Sequence, residues 1–222
     1  MDVYTRICLY DEDSLDSEFY NRWRDKFSLR RGFGYWIWKP QVVLQTFAKM
    51  NDGDVLQYTD AGCWLNPRGV NRLMDYVAIA ASHPSGILAF QLDAAYCAEE
   101  KWTKGDMLDY FGVRGSESIL KSGQCAATAF FMRKCETTVQ FVHDWLAVFE
   151  HDFSLCDDSP SKSPNSETFM ENRHDQSAFS LLCKLRGAAV MPGETEGNVW
   201  YWLLHPELPI QARRDKKQLS ST

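Results

Sequence analysis

Hydrophobic and polar positions along the chain follow two periods, and the changes between them predict where elements start and stop. Val3 to Tyr10 (VYTRICLY) alternates residue by residue and predicts a strand. After the acidic stretch Asp11 to Asp16, the four-residue spacing Phe19–Trp23–Phe27 predicts a short helix. Arg31 to Pro40 (RGFGYWIWKP) has neither period and reads as an aromatic loop with two glycines. Gln41 to Lys49 is helical and ends in the turn residues Asn51-Asp52-Gly53-Asp54. Val55 to Thr59 is a short strand that delivers Asp60 at its C-terminal end.

Asn66-Pro67 opens an amphipathic helix over about 68–81, closed near His83-Pro84. Gly86 to Leu92 reads as a buried strand, Glu99 to Tyr110 as a charged helix and Cys125 to Met132 as another strand. Thr138 to Glu150 is a helix with apolar Val139, Val142, Trp145, Leu146 and Phe149. Asp157 to Ser166, rich in Ser, Pro and Asp, predicts a mobile loop. His174 to Leu185 is a helix, Ala188 to Met191 a strand end and Gln211 to Thr222 a polar tail. Strands alternating with helices predict an α/β domain with a mostly parallel central sheet flanked by helices. The domain is expected over 1–210, and the tail reads either as the start of a linker to a further domain or as a frayed terminus.

A chain of 222 residues, 45% of them hydrophobic, can bury a sizeable core. Its net charge of −6 argues against a nucleic-acid partner, which calls for a basic excess. Seven scattered cysteines with no Cys-x-x-Cys pair give no zinc site and suit reduced, mostly buried thiols. No apolar signal segment starts the chain and no run reaches a membrane span, so a cytoplasmic location is expected.

Three stretches carry candidate chemistry. Tyr58-Thr59-Asp60-Ala61-Gly62-Cys63 follows a strand, where a carboxylate can hold a cation beside a ligand. An Asp there is also a good turn cap. Asp175 and Gln176 open the helix that continues Ser177 to Leu182. The helix dipole favours Asp175 as an anion, which suits a general base, a charge stabiliser or a cap. His174 can donate to a phosphate or to a backbone carbonyl. In the 31–40 loop, Gly32 and Gly34 permit close backbone approach, and Arg31 and Lys39 offer cations to a diphosphate. The alternative is an aromatic mini-core around Trp36 and Trp38. Lys101 to Asp106 and His205 read as solvated surface.

In order, RGFGYWIWKP (31–40), DGDVLQYTDAGCWLN (52–66), KWTKGDML (101–108) and ENRHDQSAFSLLCK (171–184) resemble a family of GT-A glycosyltransferases from bacterial polysaccharide loci and large DNA viruses. The resemblance covers roughly 11–204 and implies a Rossmann-like GT-A fold, with a nucleotide-binding N-terminal half and an acceptor-binding C-terminal half. It implies transfer of a hexose or deoxyhexose from a UDP-sugar, such as UDP-glucose or UDP-rhamnose, to a glycan or glycoprotein acceptor. For a viral member the location would be the host cytoplasm. Asp60 matches the first Asp of the Asp-x-Asp motif that holds Mn²⁺ or Mg²⁺, but Gly62 stands where the second belongs. By analogy His205 is a further metal ligand. Arg31, Lys39, Tyr58, Asp60, Ala61, His174 and Gln176 are expected at the donor site. Asp175 is expected to deprotonate the acceptor in an inverting enzyme, or to steady an oxocarbenium-like transition state in a retaining one. A non-catalytic nucleotide-sugar or carbohydrate-binding domain, and a nucleotide-sugar hydrolase, are the rival readings.

Overall fold

The computed structural model describes residues 3–214. Along the chain run α1 (Ser17–Phe27), the single turn α2 (Gly32–Tyr35), α3 (Trp38–Phe47), β1 (Val55–Thr59), β2 (Trp64–Leu65), α4 (Val70–Ser82) and β3 (Ile87–Gln91). Four short helices follow: α5 (Ala94–Cys97), α6 (Glu99–Trp102), α7 (Gly105–Tyr110) and α8 (Glu117–Leu120). Then come β4 (Cys125–Arg133), α9 (Glu136–His151), α10 (Asp175–Leu185), β5 (Ala189–Pro192), α11 (Val199–Leu204) and β6 (Ile210–Gln211).

The main sheet has the order β1-β4-β3-β5. β4 pairs antiparallel with both β1 and β3, and only β3 and β5 run parallel. The chain is α/β, but the expected mostly parallel sheet is replaced by a mixed one. The helices joining β3 to β4 are too short to make one crossover, and the chain returns antiparallel. A separate two-stranded ribbon pairs Trp64 with Gln211 and Leu65 with Ile210, so the expected tail begins inside a strand. Residues 215–222 of that tail lie outside the described residues.

Two apolar layers sandwich the sheet. On one face α3, α9 and α10 bury Val43, Trp145, Phe149, Phe179 and Leu181 with Phe130 and Met132 of β4. On the other, Leu73, Tyr76 and Ala80 of α4 cover Leu88 and Phe90 of β3 and Phe131 of β4. Cys125 and Ala127 share a face with Phe130 and Met132, so the side-chain parity of β4 switches between 127 and 130. There the β3–β4 register shifts, from Ala89 opposite Phe130 to Gln91 opposite Cys125. This irregularity takes the backbone of Ala127 out of the ladder, and the candidate site gathers around it.

Three further expectations are corrected. Val3 to Tyr10 forms no strand; its alternation turns Ile7 and Leu9 to solvent while Tyr4 hydrogen-bonds Gln57 (2.7 Å) and Tyr10 hydrogen-bonds Thr46 (3.0 Å). The expected helix over 99–110 breaks at Thr103-Lys104, and both residues are buried rather than solvated. The Ser/Pro-rich stretch is tied down: Asp106 accepts the backbone N–H groups of Lys162 (2.8 Å) and Ser163 (2.7 Å), and Arg114 donates to the Pro164 carbonyl (2.7 Å). Of the cysteines, all free, only Cys125, Cys156 and Cys183 are fully buried.

Candidate functional site

β1 ends beside the start of β4, where the Asp60 N–H donates to the Thr128 carbonyl (2.9 Å). This fixes Asp60 at the sheet edge, half-buried, with Oδ1 accepting from the Tyr58 hydroxyl (2.9 Å). Lys39 enters from the first turn of α3 and is 4% exposed. Its Nζ lies 3.2 Å from Asp60 Oδ1 and 3.2 Å from Asp175 Oδ2, and donates to the Ala127 carbonyl at 3.2 Å. Three of the expected site residues, far apart in sequence, therefore meet around one buried ammonium. Burial pulls the Lys39 pKa down, but Asp175 and Asp60 more than offset it and the net shift is upward, so the ammonium stays charged.

Asp175 opens α10 and is 3% exposed. Its carbonyl accepts from the indole of Trp145 (3.0 Å), which fixes the start of the helix. Its Oδ2 faces Lys39 at ion-pair distance but outside hydrogen-bond geometry, and has no hydrogen-bond partner. Burial raises its carboxyl to about 6; Lys39 opposes the rise and Asp60 adds to it. Desolvation outweighs the pairing with Lys39, so the carboxyl gives up its proton less readily than an exposed Asp, yet at about 6 it is still mostly ionised at neutral pH. This brings the carboxyl closer to neutrality than a free Asp.

Gln176 grips the freed strand backbone. Its Oε1 accepts from the Ala127 N–H (3.3 Å), and its Nε2 donates to Gln124 Oε1 (2.9 Å). Gln124 is held in turn by Glu99 (3.1 Å), Thr103 (3.0 Å) and Ser177 (3.1 Å). Glu99, fully buried, is neutralised by Lys184 at 2.7 Å. Of this network only Gln176 was singled out in the sequence, where Gln124 and Glu99 lack any local pattern.

The aromatic motif has its own geometry. Gly32, Phe33, Gly34, Tyr35 and Trp36 have φ of 57°, 49°, 79°, 55° and 62°, which makes one left-handed turn closed by Trp36 N–H on the Gly32 carbonyl (3.1 Å). Each non-glycine in that region costs about 1–2 kcal/mol, so three of them store roughly 3–6 kcal/mol. Glycine is required at 32, because an added Cβ would lie 2.4 Å from the Trp36 indole. The turn carries the rings of Tyr35 and Trp36 to within 5.1 and 5.4 Å of the His174 ring. Of the alternative mini-core around Trp36 and Trp38, Trp38 packs on the core with Phe33 and Tyr35, while Trp36 lies against His174.

His174 is itself strained (φ 58°, ψ −120°) and buried. Its Nε2 donates to Asp158 Oδ1 (2.8 Å), and burial lowers its pKa. Tyr35 and Arg31 donate to the same carboxylate, and Arg31 also pairs with Glu171. Arg31 and Lys39 therefore belong to two neighbouring clusters, joined through the His174-Asp175 backbone.

Ala61 is exposed in the turn after Asp60, and the Gly62 carbonyl accepts from the Arg214 N–H (3.0 Å). His205 ends α11 with Nδ1 3.3 Å from Glu207 and its ring against Tyr201; no hydrogen bond or ion pair joins it to Asp60. Among the described residues no three His, Cys, Asp or Glu side chains gather as a metal site. Asp60 Oδ1 is turned to Tyr58 and Lys39, which leaves Oδ2 of Asp60 as the oxygen of that residue that could face the Mn²⁺ or Mg²⁺ implied by the resemblance. Glu196, missed from the sequence, pairs with Arg214 (3.0 Å) near Asp60 and is raised by burial. It lies just beyond β5, and only its pairing with Arg214 and its closeness to Asp60 make it informative. No described helix is long and apolar enough to cross a membrane. Compared with protein-family models, curated proteins and solved structures, the chain matches none.

Proposed function

We propose that this chain is a GT-A-type glycosyltransferase that moves a hexose or deoxyhexose from a UDP-sugar to a glycan or glycoprotein acceptor. The observation that carries the reading is the Asp60–Lys39–Asp175 cluster around one buried ammonium, formed by residues of three of the resembling motifs. In open α/β sheets ligands bind beyond strand ends, and a carboxyl poised near neutrality is suited to proton abstraction. Asp175 takes the proton of the acceptor hydroxyl while that oxygen bonds to the anomeric carbon. The bond from that carbon to the diphosphate breaks, and UDP leaves with the electron pair. Lys39 holds both carboxylates in register, and Trp145 and Gln176 fix the start of α10 against β4.

A non-catalytic nucleotide-sugar-binding domain is the second reading, favoured by Gly62 in place of a second carboxylate and by the lack of a gathered metal-ligand set among the described residues. A panel of UDP-sugars, each with and without glycan acceptors and with Mn²⁺ or EDTA, separates the readings. UDP released only with acceptor supports the transferase. Equal release without acceptor means a hydrolase, and binding with no release means a binding domain.

A further inference from the structure

We propose that Arg31, Tyr35 and His174 form a phosphate-binding cradle, and that the carboxylate of Asp158 is an internal stand-in which a phosphate-bearing ligand displaces. Donors from three residues converge on the two oxygens of this one carboxylate. Arg31 lies 3.1 Å from each oxygen, the Tyr35 hydroxyl 3.0 Å from Oδ2 and His174 Nε2 2.8 Å from Oδ1. A phosphate offers the same pair of acceptor edges, with a third oxygen to spare, and a guanidinium fork matches it as well as it matches a carboxylate.

The cradle is built and the occupant is not. Tyr35 sits at φ 55° in the left-handed turn and His174 at φ 58°, so two of the three donors are held by strained backbone. Such strain persists where the surroundings over-determine it, and it marks functional sites more than it does surface ion pairs. The His174 ring is buried and braced by Tyr35 and Trp36, which fixes the direction of its N–H. Asp158, by contrast, has a 42% exposed side chain on the Ser/Pro-rich stretch, and its neighbours Asp157 and Ser159 are tied to Lys104 independently of it. Rotating that one side chain into solvent clears the cradle without moving the loop. Burial raises the Asp158 carboxyl, but the hydrogen bonds from His174 and Tyr35 and the charge of Arg31 outweigh it and leave it below its ordinary range, so it competes as an anion.

Glu171 holds the second guanidinium nitrogen of Arg31 and stays in place, so an incoming anion meets one residual carboxylate. Removing Asp158 takes away both the competitor and one negative charge. The cradle deepens the transferase reading, in which Arg31 and His174 border the donor; the probe carries neither sugar nor base, so the two can fail separately.

The test is titration with inorganic pyrophosphate of the wild type, Asp158→Ala, and Asp158→Ala combined with Arg31→Ala or with Tyr35→Phe. Affinity is read by calorimetry and the His174 imidazole by NMR. Asp158→Ala is expected to bind at least tenfold tighter than wild type, with the His174 signals shifting on binding. Adding Arg31→Ala should abolish the gain, and adding Tyr35→Phe should reduce it severalfold. Affinity in Asp158→Ala no better than wild type, a gain that survives loss of Arg31, or a His174 signal unmoved at saturation would overturn the proposal.

Discussion

Asp175 titrates at about 6 in the folded chain against an ordinary 3.8, a gap of roughly 3 kcal/mol against its ionised form. The folded state keeps its proton where the unfolded chain has lost it. Stability conferred by the neutral carboxyl is therefore full below about pH 4, declines as pH rises to about 6, and is gone above. Asp175→Asn removes this dependence and should raise the melting temperature at pH 7.5 by several degrees; a lower one would mean the Lys39 pair outweighs burial. For the wild type, kcat/KM should climb with pH through about 6 and then level, because the base acts ionised. A flat profile from pH 5 to 8 would exclude a base with this titration. Lys39→Met leaves two neighbouring carboxylates without their cation. It should cost roughly 3 kcal/mol at pH 8 and less at pH 5, where Asp175 takes up a proton. Denaturant unfolding at both pH values checks this, and an equal loss at each would point to packing instead of charge.

Among the elements, the left-handed turn over 32–36 concentrates the strain. Gly32→Ala should cost more than Gly53→Ala, although both have positive φ (57° and 91°). Space around Gly53 is open to 4 Å, so its substitution carries only the backbone penalty, on the order of 1 kcal/mol. At Gly32 the new methyl meets the Trp36 indole as well. Equal losses by urea unfolding would show that the indole yields freely. Glycines spaced two apart beside aromatics showed in the sequence that close backbone approach was needed. The left-handed φ of Phe33, Tyr35 and Trp36 did not show, because no side chain advertises a conformation it disfavours. The strand Val55–Thr59 was legible to the residue and α10 to within one, since turn chemistry and apolar runs bound them sharply. Val3 to Tyr10 alternates as a strand does but meets no partner, and alternation encodes a half-buried face rather than a ladder.

At the scale of the whole molecule, strand direction was the feature least visible in the sequence. The runs at Ile87–Gln91 and Cys125–Arg133 read the same whether paired parallel or antiparallel, and only the path between them decides. Asp60, Lys39 and Asp175 could each be suspected separately. Their meeting around Ala127 depends on the β4 irregularity, which is a product of tertiary packing. Asp158 and Glu196 were hidden for a related reason: each becomes informative only once its distant partners are brought beside it.

The measurement that bears most directly on the central claim compares wild type with Asp175→Asn, on whichever UDP-sugar and acceptor pair turns over. UDP affinity and transfer rate are read on the same preparations. A base at Asp175 predicts nearly unchanged UDP affinity and a turnover lower by about 10²–10⁴-fold. A variant that keeps turnover within about tenfold of wild type, a loss of less than roughly 1.4 kcal/mol in barrier, would contradict it and leave Asp175 as the buried opening residue of α10.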